Sequence, residues 1–192
     1  MLREDVFVIS QALSWVKEEP IWLCTVLSTY GSSPRSPGSL LVAKADGQYV
    51  GSLSGGCIEE DFIQRVQDAK YLNGSQVVRY GRGGLEAKVN LPCDGSLDVL
   101  IEYLPKSDES VHYLTEIHQA LLGYTAINKR VTLPQHGEIS TVKNQQIPTQ
   151  IERAGDDIQF YIAAPPRLII AGISNVGIYC ADFAATLGFE VI

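Results

Sequence analysis

Three short stretches of this 192-residue chain place reactive or anion-seeking groups in glycine-rich turns. The first, GSSPRSPG from Gly31 to Gly38, holds Arg35 among Ser32, Ser33 and two prolines. Small turn-forming residues let backbone N–H groups converge, and a guanidinium among them would make an anion seat. The plainer alternative has Arg35 pointing into water. The second, SGGCIEED from Ser54 to Asp61, leads into a helix. Gly55 and Gly56 let the backbone approach a ligand closely, and the N–H groups of a helix start attract anions. Cys57 would sit in that first turn, where the dipole favours thiolate over thiol, and Glu59 and Glu60 would complement the same dipole. A tight strand-to-helix turn with Cys57 as a small core residue is the alternative. The third, LPCDG from Leu91 to Gly95, sets Cys93 beside a turn that enters a strand; an ordinary turn explains it equally. Gathered at one end of a sheet, the three would set anion donors beside soft sulfur.

The remaining chemistry-bearing residues form no pattern. Cys24 and Cys180 stand far from the other cysteines, no CxxC pair exists, and neither a zinc site nor a disulfide framework is expected. His112, His118 and His136 have no ligand spacing, no nucleophile elbow is present, and the consecutive Glu59, Glu60 and Asp61 diverge on a helix. The formal net charge of −7 argues against nucleic-acid binding. No apolar run approaches the length of a membrane span, and Arg3, Glu4 and Asp5 fall where a secretory signal needs an apolar core, so a cytoplasmic protein with free thiols is expected.

The elements that must position these turns are legible from periodicity. Val6, Ile9, Leu13 and Val16 mark an amphipathic first helix, and IWLCTVLSTY (21–30) reads as a buried strand. A hairpin turning at Asp46-Gly47 follows, then a helix from about Cys57 with Ile58, Phe62, Val66 and Ala69 on one face. SQVVRY and SLDVLIEYL are strands, ESVHYLTEIHQALLG is a second amphipathic helix, and YTAINKRVTL and DDIQFYIAAP are strands separated by a polar turn region. After Pro165-Pro166 the composition changes to RLIIAGISNVGIYCADFAATLGFEVI, an apolar strand from Leu168 to Ala171, a glycine turn, a small-residue helix and a second strand. The fold class expected is α/β: a mixed-sheet N-terminal domain followed by a partial, truncated Rossmann-like β-α-β unit. The divisions expected are 1–105, a variable extension over 106–166, and an incomplete unit over 167–192. GISNVG carries Ser174 where the dinucleotide fingerprint has its second glycine, and the strand that would bring a ribose-gripping acid ends at Ile192, so NAD(P) is not expected as a ligand of this chain. An open half-unit of this kind is expected to pair with another chain or to lead into a disordered tail.

The order and spacing of GSSPRSPGSLLV, DGQYVGSLSGGCIEEDF and LPCDGSLDVLIEYL resemble the XdhC/CoxI family, whose pattern is a GSxPRxxG loop, an SGGCxE turn and a CGG turn before a strand. The resemblance covers residues 1 to about 105 and resumes at about 167. It implies a maturation protein that binds molybdenum cofactor and delivers it to a xanthine dehydrogenase-type molybdenum hydroxylase, a non-catalytic chaperone more than an enzyme. The partners it implies are an apo-hydroxylase and cofactor-biosynthesis proteins, with a homo-oligomer expected. Carried over by residue, Gly31, Ser32, Ser33, Arg35 and Gly38 match the first motif and would seat phosphate or oxo groups of the cofactor. Ser54, Gly55, Gly56, Cys57 and Glu59 match the second, and Cys93 and Gly95 the third. Asp94 stands where the family has glycine, adding negative charge and bulk. Two other functions compete: an NAD(P)-linked oxidoreductase, from the C-terminal unit, and a ligand-free assembly protein of the same family, from Asp94 and the shortened C-terminal unit.

Overall fold

The computed structural model describes residues 3–31, 35–56, 58–84, 95–142, 150–163, 167–187 and 189–192. Its spine is a five-stranded sheet in the order β3-β2-β1-β5-β4, formed by β1 (Ile21–Tyr30), β2 (Leu40–Lys44), β3 (Tyr49–Gly51), β4 (Ser75–Gly81) and β5 (Ser96–Leu104). Every neighbouring pair is antiparallel, which corrects the mixed sheet expected from the sequence. The reason lies in the connections. The β1–β2 and β2–β3 links turn straight back, the latter at Asp46-Gly47. The one helical crossover, from β3 to β4, joins strands on opposite edges, so the two strands it leaves parallel never become neighbours.

That crossover is α2 (Glu59–Gln67). It lies on the face made by Trp22, Cys24 and Val26 of β1 and Leu97, Val99 and Ile101 of β5, burying Phe62 and Val66 there. The opposite face carries α1 (Glu4–Val16), which buries Val6, Val8, Ile9, Ala12 and Val16. The same core holds Tyr113, Leu114 and Ile117 of α3 (Asp108–Leu121), so helices from the two ends of the region 1–121 share one core. The Ser107 hydroxyl caps α3 by accepting from the Ser110 N–H at 3.2 Å.

A second antiparallel sheet, β7-β6-β9-β8, packs on that same face. It consists of β6 (Ile127–Thr132), β7 (Glu138–Thr141), β8 (Gln150–Ala154) and β9 (Asp157–Ile162). Leu27 and Leu100 of the first sheet meet Val131, Ile158 and Phe160 of the second. β6 and β9 are the two strands legible in the sequence. The edge strands β7 and β8 fall in the stretch expected to be polar turn, because each is largely exposed and shows little apolar alternation.

Beyond residue 166, β10 (Arg167–Leu168) and β11 (Glu190–Val191) pair in parallel across α4 (Asn175–Thr186). Of the expected apolar strand from Leu168 to Ala171 only Leu168 lies in β10, and Ile169, Ile173, Val176 and Phe183 are exposed, because no further element among the described residues covers this unit. Ser174 has a local reason: its hydroxyl accepts from the Gly177 N–H at 3.0 Å and caps α4, a bond glycine could not make.

Candidate functional site

Strand direction decides where the three turns lie. β1 and β3 run toward, and β5 runs away from, the same end of the five-stranded sheet, so Gly31 and Gly95 leave from that end and Ser52–Gly56 head toward it. Gly31 and Gly95 are direct neighbours, since Tyr30 pairs with Ser96, and the Gly95 carbonyl also accepts from the Arg82 N–H at 3.1 Å. The turn before α2 departs lower down. Gly51 faces Leu41, and Thr25, the partner of Leu40, lies six residues before Gly31, about 20 Å at the usual strand rise. Leu53 and Ile58 then bury themselves in the cluster that holds Val26, Tyr80 and Leu97, which brings the turn over the α2-side face. Ser32, Ser33, Cys57 and Cys93 lie outside the described residues.

Within the first loop, the Arg35 guanidinium donates to Glu4 Oε2 at 2.7 Å, tying the loop to the start of α1. Gly38 closes the loop: its N–H donates to the Val26 carbonyl at 2.8 Å, with φ at +93° and open space where a side chain would stand. Gly38 also borders a cavity of about 90 Å3 between α1, α3 and the second sheet. Thr25 and Lys129 reach the same cavity, and the buried Thr25 hydroxyl has no hydrogen-bond partner among the described residues.

The second turn is organised by one carboxylate. Glu59 is 2% exposed. Its Oε1 accepts from the Ser52 hydroxyl and the Leu53 and Ser54 N–H groups at 2.7, 2.9 and 3.0 Å. Its Oε2 accepts from the Ser54 hydroxyl and the Gly56 and Ile58 N–H groups at 2.6, 3.1 and 3.1 Å. Burial on its own raises the Glu59 pKa; the bonds from Ser54, Ser52 and Leu53 outweigh it and hold the group down at about 2. The N–H groups expected to greet an external anion thus already serve an internal one. Gly55 and Gly56 take φ values of +81° and +113°, which the wrap around this carboxylate requires, and both are exposed.

Sequence reasoning passed over two further clusters. Asp98, nearly buried, accepts from Arg79 Nε and Nη2 at 2.6 and 2.7 Å and from the Ser28 hydroxyl at 3.2 Å, and Arg153 Nη1 of the second sheet stands 3.7 Å away. The Arg79 bonds, helped by Ser28 and Arg153, hold its pKa below the usual carboxylate range against the effect of burial. Four residues along β5, Glu102 accepts from Lys129 Nζ at 2.5 Å and from the Tyr113 hydroxyl at 2.6 Å, all of them buried. Burial and the neighbouring Glu102 charge push the Tyr113 phenol well up; they do the same for the Cys24 thiol, on the other face of the sheet. The signal was present in SLDVLIEYL: acids at positions 98 and 102 share one face of a strand whose other residues, Ser96 apart, are apolar.

Among the described residues no group of histidines, cysteines and acids is arranged to hold a metal ion, and no helix is long and apolar enough to cross a membrane. The architecture is an α/β protein built on two antiparallel sheets, and its loop motifs can now be set against known sequences. Residues 14–81 match the model of the XdhC and CoxI family, which bears out the resemblance over the first two of the three turns. The chain is 23% identical over 197 residues to a protein from Bacillus subtilis (strain 168) whose name makes it a probable component of xanthine dehydrogenase, covering 91% of this chain and 59% of that protein. It is 25% identical over 170 residues to the molybdenum cofactor insertion chaperone PaoD of Escherichia coli (strain K12), covering 88% of this chain and 50% of PaoD. A crystal structure described as a xanthine dehydrogenase from Bacillus halodurans shares the fold, with a TM-score of 0.66 and 20% identity over 98% of this chain and 61% of that one. The chain therefore spans about half to three-fifths of the length of these relatives.

Proposed function

We propose that this protein binds molybdenum cofactor at the loop end of the five-stranded sheet and passes it to an apo molybdenum hydroxylase of the xanthine dehydrogenase type. The likeness to an insertion chaperone supports a role in hydroxylase maturation. The observation that carries the site is the meeting of the first and third motif turns at one sheet end, with Gly31 and Gly95 side by side, while the second turn starts lower and runs over the α2-side face toward that end. In this reading Gly31, Arg35, Gly38 and Gly95 border the ligand, Gly55 and Gly56 let its backbone side come close, and Cys57 and Cys93 supply the sulfur that faces the metal. Ser32 and Ser33 add hydroxyl donors, while Ser54 and Glu59 shape the turn. The residues suit the group: soft thiols and neutral backbone donors fit an oxidisable metal bound through sulfur and an anionic tail. Metal and pterin analysis of protein purified from a host that makes molybdenum cofactor tests this. Cofactor should co-purify with the wild type and be depleted in a Cys57→Ser/Cys93→Ser variant; equal retention by both removes the thiols from the site.

One observation favours a second reading, a ligand-free assembly protein. Glu59 fills the start of α2 and Glu4 holds Arg35, so two groups expected to greet an anion have partners inside the protein. Co-purification with a hydroxylase while empty of cofactor is its signature.

A further inference from the structure

The corner around Asp98 differs in its charge balance from the Arg35–Glu4 pair of the first loop. Two guanidiniums face one carboxylate there. Arg79 spends Nε and Nη2 on Asp98, and Arg153 spends Nε on the Gly155 carbonyl at 3.1 Å and rests Nη1 3.7 Å from Asp98. A guanidinium has five N–H donors, so both keep several to offer, and their side chains are 51% and 37% exposed. The local sum is one positive charge, on a chain whose total is −7. Asp98 holds the Arg79 fork in a fixed plane, which removes the entropy cost of arranging it when an anion arrives. Arg153 shares its side of β8 with Ile151, which packs into the core between the sheets, while Glu152 alternates to the other side. Tyr30 completes the corner. It follows Ser28 by two residues on β1, so it stands on the face from which Ser28 donates to Asp98, and the residue is 71% exposed. Tyr30 also directly precedes Gly31, the first residue of the arginine-bearing loop.

We propose that this corner is a seat for a phosphate monoester carried on a planar heterocycle: Arg79 and Arg153 take the phosphate oxygens from either side of Asp98, and Tyr30 stacks against the ring. The inference rests on the cofactor reading above, because it assigns the pterin phosphate of that ligand to residues outside the three motifs. Ionised phosphate matches two forks at once, and an exposed tyrosine beside them suits a flat ring at little ordering cost.

The test uses the full chain and a probe independent of the metal: the phosphate monoester of 6-hydroxymethylpterin, titrated by pterin fluorescence against unphosphorylated 6-hydroxymethylpterin. Wild type should bind the phosphorylated form at least about tenfold more tightly, with affinity falling as salt rises. Arg153→Ala should cost about tenfold for the monoester and leave the unphosphorylated pterin unchanged, and Tyr30→Leu should weaken both. Equal binding of the two pterins, or an unaltered Arg153→Ala, overturns the proposal. Competition by inorganic phosphate at concentrations equal to the monoester overturns the role of Tyr30. Cofactor retention in the host assay separates the two readings. Wild-type retention by Arg79→Ala/Arg153→Ala overturns this seat and leaves the carrier standing. An empty wild type that still prefers the phosphorylated pterin overturns the carrier and supports the seat.

Discussion

Glu59 and Asp98 stand on opposite faces of the five-stranded sheet, and both are nearly buried carboxylates held in the ionised form. Glu59 is satisfied by neutral donors, four backbone N–H groups and two serine hydroxyls, and brings no positive charge with it. Asp98 is satisfied by charged donors that outnumber it. The first arrangement is closed: the six bonds that Glu59 accepts all come from residues 52–58, and both carboxylate oxygens are spent on them. The second is open, with donors left over and a surplus charge. A carboxylate near a loop therefore reports a structural staple or a ligand platform according to what its partners have left to give, not according to its own burial.

The comparison can be broken at its closed side first. Glu59→Ala removes the acceptor of six hydrogen bonds and leaves buried N–H groups without partners, so a loss of about 3–5 kcal/mol in urea unfolding is expected. Titration reaches the same group without mutation. Its folded-state pKa, about 2, lies below the ordinary 4.5, so its contribution is complete above about pH 4.5 and is lost as pH falls toward 2. A shift of that size is worth about 3 kcal/mol, and the stability gap between wild type and Glu59→Gln should shrink over that window. A Glu59→Gln variant with an unchanged acid profile would assign the acid loss to other groups. On the open side, Asp98→Asn keeps the shape but loses the charge facing Arg79, for an expected cost of about 1–2 kcal/mol. Arg153→Ala should change stability least, by less than about 1 kcal/mol, because that pair is long and partly exposed. An Arg153→Ala loss as large as that of Glu59→Ala would make the corner a clamp between the sheets and erase the contrast.

Most elements were legible because their patterns are strong. The run 21–27 is buried at every position, as a central strand covered on two sides must be, and 96–104 departs from an apolar run only at Ser96, Asp98 and Glu102. Strand partners were not legible, since periodicity fixes a face and leaves the neighbour open; a helix between two strands reads as a parallel crossover until one learns that β3 and β4 lie on opposite edges. At the candidate site the turns were found from glycine, but the Glu59 bonds were invisible. A glutamate just inside a helix reads as a dipole partner, and only the backward wrap of Ser52 to Gly56 turns it into an acceptor for its own approach loop. Arg79 and Arg153 belong to different sheets, so no spacing in the chain relates them.

β5 carries one more consequence. Asp98 and Glu102 sit on its side toward α3 and the second sheet, and Leu97, Val99 and Ile101 on its side toward α2. Sliding β5 by a single position would exchange the two sets, driving both acids into the apolar layer of Trp22, Val26 and Phe62 and leaving Arg79 and Lys129 facing methyl groups. The strand therefore has one permitted alignment, enforced electrically as well as by packing, and the sheet end where the ligand corner stands inherits that exactness.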